Sequence, residues 1–212
     1  MSTNVPVKTV RATSAVGSVG IAMKHHLWGT WSEIAIANER AAWRIRIKAL
    51  KHATPAKFMG DEMKPSLIAI TAAAFALDAL YGALKPICGD PVTSKDAKGW
   101  QHVLETFGHG FKLGRKASQW QPKFGSLFSA ARDPAVHAKE AFATPVPHPL
   151  GGHAAPIYRT YSPKKAKEAV NLLMDVLDTL TSNPGPTTGP WASGARATVD
   201  RLLKTRKKTL YR

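Results

Sequence analysis

The chain contains little cysteine and no long apolar run, and each scarcity excludes a class of protein. Cys88 is the single cysteine, so an internal disulfide is impossible and the composition fits a reducing compartment. No apolar run approaches the roughly 18 residues that indicate a transmembrane helix, and no compact apolar block with a cleavage site follows the N-terminus. We therefore expect a cytoplasmic protein that does not associate with a membrane.

Several short motifs typical of enzymes are missing as well. The sequence has no Walker loop, no dinucleotide fingerprint, no zinc-ligand spacing and no His-Glu-x-x-His pair. These absences argue against the nucleotide-dependent and metal-dependent enzymes that carry such motifs. We expect no cofactor and no metal site.

Acidic residues are also scarce relative to basic ones. The chain has 14 Asp and Glu against 30 Lys and Arg, which gives a formal net charge of +16. Such an excess attracts polyanions, so nucleic acid is the first candidate partner and an acidic protein the second. Arg40, Arg44, Lys48 and Lys51 follow helical spacing and could track a phosphate backbone. A solvated polar face explains the same spacing.

Apolar periodicity predicts an all-α fold. Helical spacing extends over residues 31–53, 64–87, 96–117 and 162–181, and no segment alternates in the way that a half-buried strand requires. We expect a bundle of four to five helices with a basic C-terminal extension.

The composition divides the chain into three parts. Residues 1–30 lack sustained periodicity and are predicted to be a flexible N-terminal segment, followed by a helical domain over 31–182. Residues 183–212 are predicted to be a Pro/Gly-rich linker and a basic C-terminal tail, which could form a short basic helix. The tail could hold nucleic acid, dock on an acidic partner or simply fray.

One short stretch, Arg132-Asp133-Pro134-Ala-Val-His137, suggests chemistry. Asp is a favoured N-cap and Pro a favoured first helical residue, so Asp133-Pro134 predicts a helix start. A helix N-terminus attracts anions, and an adjacent guanidinium and imidazole could hold and cleave a phosphodiester. On one straight helix, residues five apart point about 140° away from each other, so Arg132 and His137 converge only if the helix breaks. The spacing alone is weak evidence, because it arises readily by chance.

This stretch, together with the apolar helix 68–81 before it and the amphipathic helix 162–181 after it, resembles the HEPN family and its Arg-polar-x3-His motif. HEPN proteins are small α-helical domains, and many are metal-independent ribonucleases of toxin–antitoxin and phage-defence systems. The resemblance covers about residues 64–182. It implies a homodimer and makes a nucleotidyltransferase-like antitoxin a conceivable partner.

The chemistry of RNA cleavage suits these residues. His137 could act as general base or acid for attack by the ribose 2′-OH, and Arg132 could stabilise charge on the phosphoryl oxygens. Asp133 could cap the helix, orient Arg132, or both. We expect an endoribonuclease, with a non-catalytic nucleic-acid-binding protein or a partner-regulating helical protein as the alternatives.

Further residues are candidates for substrate contacts. Asp78 is a carboxylate within an apolar helix, so it is expected either to pair with a base such as Arg132 or to face a hydrated crevice. Tyr158, Arg159 and Tyr161 lie in the long loop 143–161 and could contact ribose, base or phosphate, or pack the loop onto the core. Lys139 could contact phosphate or be solvated.

Overall fold

The computed structural model describes residues 15–89, 91, 97, 99–136 and 144–207, with the backbone alone for 15–26 and 136. Two of the candidate site residues, His137 and Lys139, lie outside the described residues. The helices are α1 (Ala15–Leu50), α2 (Met59–Cys88), α3 (Gly99–Gly110), α4 (Lys116–Gly125), α5 (Asp133–Val136), α6 (Pro156–Thr160), α7 (Pro163–Ser182) and α8 (Gly189–Lys207). A 3₁₀ turn (Pro55–Phe58) precedes α2, and a π-helical segment (Ser126–Arg132) joins α4 to α5.

The predicted all-α class is confirmed. The strands β1 (Val146–Pro147) and β2 (His153–Ala154) pair as one small antiparallel hairpin, with Val146 opposite Ala154. This hairpin and α6 occupy the stretch that was expected to be an unstructured loop, and they are too short for periodicity to reveal them.

Helix α2 is the centre of the fold because it is apolar around most of its circumference. Its buried side chains are mostly Ala and Leu, and small Ala side chains let neighbouring helices approach closely. Helix α1 packs antiparallel to α2, and the centroids of the Trp31 and Phe75 rings are 5.2 Å apart. The predicted apolar face of α7 is confirmed, since Ala166, Val170 and Leu173 on it are fully buried.

The expectation that no apolar run approaches the length of a transmembrane helix is wrong: the segment Pro55–Cys88 is long and apolar enough, by length and composition only, to cross a membrane. However, 56% of its most apolar window is buried inside the protein. The central helix of a soluble protein has this pattern, so the burial is consistent with a soluble protein.

The C-terminal segment is a core helix rather than an extension. On α8, Trp191, Ala195, Val199 and Leu202 are all buried, and Trp191 packs its ring edge-on against Phe111 at 5.6 Å between centroids. The predicted linker is therefore wrong for residues 189–194, where α8 begins. The residues after it form the helix that was one of the alternatives for the tail, but as part of the core and not as an extension. The apolar spacing of this segment was missed because turn residues occur at its start and charged residues occur throughout it.

Helix α1 begins at Ala15, well before the predicted start at residue 31. At the end of this added stretch α1 contacts α8: Trp28 is buried with its ring 6.4 Å from that of Trp191, and Gly29 lies close to Thr198. The predicted flexible N-terminal segment is therefore wrong for the end of this stretch, where Trp28 and Gly29 pack against α8.

Candidate functional site

The residues around Arg132 form a continuous helix, and no new helix starts at Asp133-Pro134. Asp133 has helical backbone angles (φ −63°, ψ −43°), and its N–H donates to the carbonyl of Phe128, five residues earlier. The predicted helix start at Asp133-Pro134 is therefore wrong, and Asp133 is not an N-cap.

The π-helical segment explains how the chain accommodates Pro134. In an α-helix, the ring of a proline clashes with the carbonyl four residues earlier, and the proline nitrogen has no hydrogen to donate to that carbonyl. A π turn uses a five-residue hydrogen-bond repeat, which widens the helix just before Pro134. Since the helix does not restart, the anion site that was expected at a helix N-terminus is not formed there. The break on which convergence of Arg132 and His137 was expected to depend is also absent from the described residues of this helix, which reach Val136.

Arg132 is held by a carboxylate on each side. Its Nη2 donates to Oδ2 of Asp78 at 3.0 Å and its Nη1 donates to Oδ1 of Asp133 at 2.9 Å. The predicted pairing of Asp78 with Arg132 is confirmed. Of the two roles expected for Asp133, orienting Arg132 is the one that the structure shows.

Aromatic rings fix the same guanidinium from other sides. Its Cζ atom lies 5.7 Å from the ring centroid of Phe75 and 5.8 Å from that of Phe128, within the range of cation–π contact. Phe128 in turn stacks on Phe124 at 5.9 Å. The Arg132 Nε atom is buried and has no hydrogen-bond partner among the described residues. Arg132 is therefore held in one orientation by groups from α2 and from its own helix.

The Arg132 cluster forms one wall of an open cavity of about 740 Å³. The side chains of Arg132, Asp78 and Asp133 keep 28%, 37% and 46% of their surface exposed, so a ligand can reach all three. The cavity is lined by Asp78, Tyr81, Gly99, Trp100, Val103, Phe128, Ser129, Arg132 and Asp133. Its volume is in the range typical of small-molecule and nucleotide pockets.

The charge of this cluster is unusual for a phosphate site. One guanidinium faces two carboxylates, so the formal charge is −1 when both are ionised. Burial raises the pKa of Asp78 above its ordinary value; the Arg132 guanidinium opposes this shift, and the Asp133 carboxylate adds to it. A raised pKa means that Asp78 takes up a proton at a higher pH than an ordinary aspartate, and the neutral form would leave the cluster uncharged overall.

The remaining candidate contacts lie elsewhere. Tyr161 is only 2% exposed, and its hydroxyl donates to the carbonyl of Ala131 at 2.8 Å. Its predicted role in binding substrate is therefore wrong: it packs the loop onto the core and fixes the residue before Arg132. Tyr158 is partly exposed and Arg159 exposed on α6, and neither lines the Arg132 cavity.

Sequence reasoning missed several residues that line the cavity. Tyr81 follows Asp78 by three residues, so helical spacing places both on one face, and this signal could have identified it. Trp100 was expected only as part of an apolar stripe, yet it lines the cavity, and its buried Nε1 has no partner among the described residues. Ser129 reaches the cavity from the π-helical segment.

Comparisons with known proteins give no match: no family model, no curated protein and no solved structure corresponds to this chain. The function is therefore argued below from the chemistry of the site.

A second polar cluster is sealed inside the protein. Glu62 on α2 is 1% exposed and accepts two hydrogen bonds from Arg46 on α1, at 2.6 Å from Nε and 2.5 Å from Nη2. Nε2 of His148 lies 3.6 Å from the Glu62 carboxylate, and Nδ1 of His148 accepts the N–H of Leu150 within the hairpin turn. The cluster joins α1, α2 and the hairpin, and its burial makes it a structural element.

The burial of His148 predicts an acid-sensitive contribution to stability. Burial and Arg46 lower the pKa of His148, and Glu62 opposes them. Because an unfolded histidine titrates near pH 6.5, the unfolded chain binds more protons below that pH, and stability is lost as pH falls toward the lowered pKa. One such proton contributes at most about 1.4 kcal/mol per pH unit.

We expect His148→Asn to reduce the dependence of the unfolding free energy on pH between about pH 6.5 and 5. Urea unfolding at several pH values measures this dependence. The matched control is His153→Asn, on the same hairpin but exposed, which should leave the slope unchanged. Equal slopes in wild type and His148→Asn would contradict the assignment.

Proposed function

We propose that the protein is a metal-independent endoribonuclease of the HEPN type. The observation that supports it best is Arg132, which is oriented by Asp78 and Asp133 on the wall of an open cavity, five residues before His137. A guanidinium fixed in this way can stabilise developing phosphoryl charge without reorganising. The net charge of +16 favours encounter with RNA.

The proposed reaction uses side chains of this chain and of a second copy of it. The ribose 2′-oxygen forms a bond to the adjacent phosphorus while its proton passes to a general base. The bond from phosphorus to the 5′-oxygen breaks, and that oxygen takes a proton from a general acid. His137 serves as one of these two groups. A homodimer would supply a second imidazole for the other role.

In this proposal, the protonation state of Asp78 controls how well the Arg132 cluster binds a phosphate. With both carboxylates ionised, the cluster repels a phosphate even though it contains Arg132. Protonation of Asp78 removes one negative charge close to the guanidinium. The raised pKa of Asp78 makes this protonation easier than for an ordinary aspartate.

Asp78→Asn should therefore tighten RNA binding at pH 7.5. The variant keeps an oxygen that can accept from Arg132 but removes a charge worth about 1 kcal/mol of repulsion, or about fivefold in Kd. The difference should shrink as pH falls, because protonated Asp78 in the wild type resembles Asn. Fluorescence anisotropy with uncleavable 2′-O-methyl RNA measures both effects, and weaker binding by the variant at pH 7.5 would overturn this role of Asp78.

The test of the function is an end-group experiment in EDTA. Purified protein should cleave a labelled RNA and leave 2′,3′-cyclic phosphate and 5′-hydroxyl ends, since the 2′-oxygen is the nucleophile. A 2′-O-methyl group at the cleaved nucleotide should abolish the cut. Cleavage that leaves 3′-hydroxyl ends, or that requires a divalent cation, would refute the proposal.

A non-catalytic nucleic-acid-binding protein is the second candidate. The two carboxylates beside Arg132 oppose the charge that catalysis would use, and they leave nucleic-acid binding to basic residues elsewhere on the chain. Salt-dependent RNA binding without any cleavage would support this candidate. An acidic protein or a nucleotidyltransferase-like antitoxin as partner stays a proposal from the resemblance.

A further inference from the structure

A second group of basic residues meets where α1, α7 and α8 pack together, and we name it the cationic seam. None of its members lines the Arg132 cavity. The two predicted basic features, the stripe on α1 and the C-terminal tail, contribute to this single surface. Its members are Arg40 and Arg44 on α1, Lys167 on α7 and Arg206 on α8, together with Lys204 and Lys207, which share the last turn of α8 with Arg206.

Contacts across the three helices hold the seam together. Arg40 on α1 donates to the backbone carbonyl of Thr205 on α8. Arg206 on α8 donates to Asn171 on α7 at 2.5 Å and to Glu39 on α1 at 3.2 Å. These contacts fix the cations relative to one another.

Little negative charge compensates the seam. Glu39 is 5% exposed, and both of its oxygens accept from Arg206. Glu33 pairs with Arg201, and Glu168 pairs with Lys165. Glu39 thus compensates Arg206 within the seam, whereas Glu33 and Glu168 are committed to cations outside it.

The other cations of the seam lie close to a second cation, lie over an aromatic ring, or are exposed to solvent. Burial and repulsion from Arg44 lower the pKa of Arg40, with Glu39 acting in the opposite direction. The Lys167 ammonium lies over the ring of Trp43 at 5.7 Å, a contact that leaves its charge uncompensated. Arg44, Lys204 and Lys207 are exposed.

We propose that the cationic seam binds the phosphate backbone of a nucleic acid, at a place separate from the Arg132 cavity. Protein interfaces and membrane-bound helices need apolar residues at their centre. Among the described residues, α7 and α8 carry no large exposed hydrophobic side chain, and those on α1 are Leu27, Ile47 and Leu50. Ionic contacts alone suit a phosphate backbone, which supplies most of the sequence-independent affinity of nucleic-acid-binding proteins.

The test is a charge reversal at three seam positions, Arg44→Glu, Lys167→Glu and Lys204→Glu, in the full chain. Arg40 and Arg206 stay in place because they join helices. The matched control reverses three exposed cations elsewhere, Lys57→Glu, Lys112→Glu and Arg115→Glu, so both variants change the net charge equally. Circular dichroism confirms that each variant is folded.

Binding is measured from about 50 to 200 mM salt with 2′-O-methyl RNA, with DNA of the same sequence, and with vesicles of anionic lipid. The seam variant should lose at least about tenfold in nucleic-acid affinity, and its salt slope should fall by about 0.7 for each lost single-strand contact. The control should change affinity less than about threefold. A loss of affinity for RNA alone would support the seam and identify RNA as the partner. A loss of affinity for both RNA and DNA would support the seam and identify nucleic acid of either kind as the partner.

Equal losses in both variants would overturn the inference, because total charge and not the seam would then govern binding. Unchanged nucleic-acid binding in the seam variant would also overturn it, as would a loss confined to vesicles. Because 2′-O-methyl RNA has no 2′-hydroxyl to attack, these outcomes are independent of whether the protein cleaves RNA.

Discussion

Replacing Arg132 by alanine is expected to slow RNA cleavage by about 10²–10³-fold. The change removes the fixed donors that are proposed to stabilise phosphoryl charge, and it leaves Asp78 and Asp133 as uncompensated negative charges on the cavity wall. Initial rates at saturating RNA, with EDTA present, measure the loss. Arg132→Lys should recover only part of the rate, since an ammonium has one charge centre and no planar fork.

The matched control is Arg115→Ala, an exposed arginine at the start of α4. It removes the same charge from the chain and should leave the rate within about twofold of wild type, as expected for a surface substitution far from the site. If Arg132→Ala is folded and cleaves as fast as Arg115→Ala, Arg132 has no part in catalysis.

Glu62→Ala should have the largest effect on stability, a loss of about 3–5 kcal/mol in the free energy of unfolding. The substitution leaves Arg46, whose side chain is only 12% exposed, without its carboxylate, and this low exposure limits how far water can replace the lost hydrogen bonds. His148 loses the same carboxylate. The midpoint of urea unfolding, with the slope checked for constancy, measures the change.

Glu168→Ala serves as the control for this experiment. Glu168 also belongs to an ion pair, with Lys165, but both side chains are 48% exposed. Exposed pairs contribute about 0–1 kcal/mol, so the control should change stability little. A loss below 1 kcal/mol for Glu62→Ala would mean that the buried cluster is not a structural tie between α1, α2 and the hairpin.

Periodicity predicted the parts of the fold that bury one continuous face. Helices α2 and α7 were found because their apolar residues recur over many turns, and Asp78 stood out as a charge within such a pattern. The pairing of Asp78 with Arg132 followed from a general rule, since a partly buried carboxylate needs a cation or a raised pKa. Here it has both.

The missed features depend on distant packing or on ambiguous local signals. Helix α8 carries Trp191, Ala195, Val199 and Leu202 at helical spacing, but Pro and Gly residues at its start indicated a linker. A proline after aspartate is typical of a helix start, and sequence alone does not show that a π turn can absorb it. The hydroxyl contact of Tyr161 joins positions 30 residues apart, and no local pattern predicts it.

The most direct test of the central claim is the rate of RNA cleavage by His137→Ala in EDTA. The account predicts a loss of about 10²–10⁴-fold, the usual contribution of general acid–base catalysis, with an unchanged urea midpoint. His153→Ala, an exposed histidine on the hairpin, should cleave like wild type. A folded His137→Ala protein that cuts RNA at the wild-type rate would contradict the account.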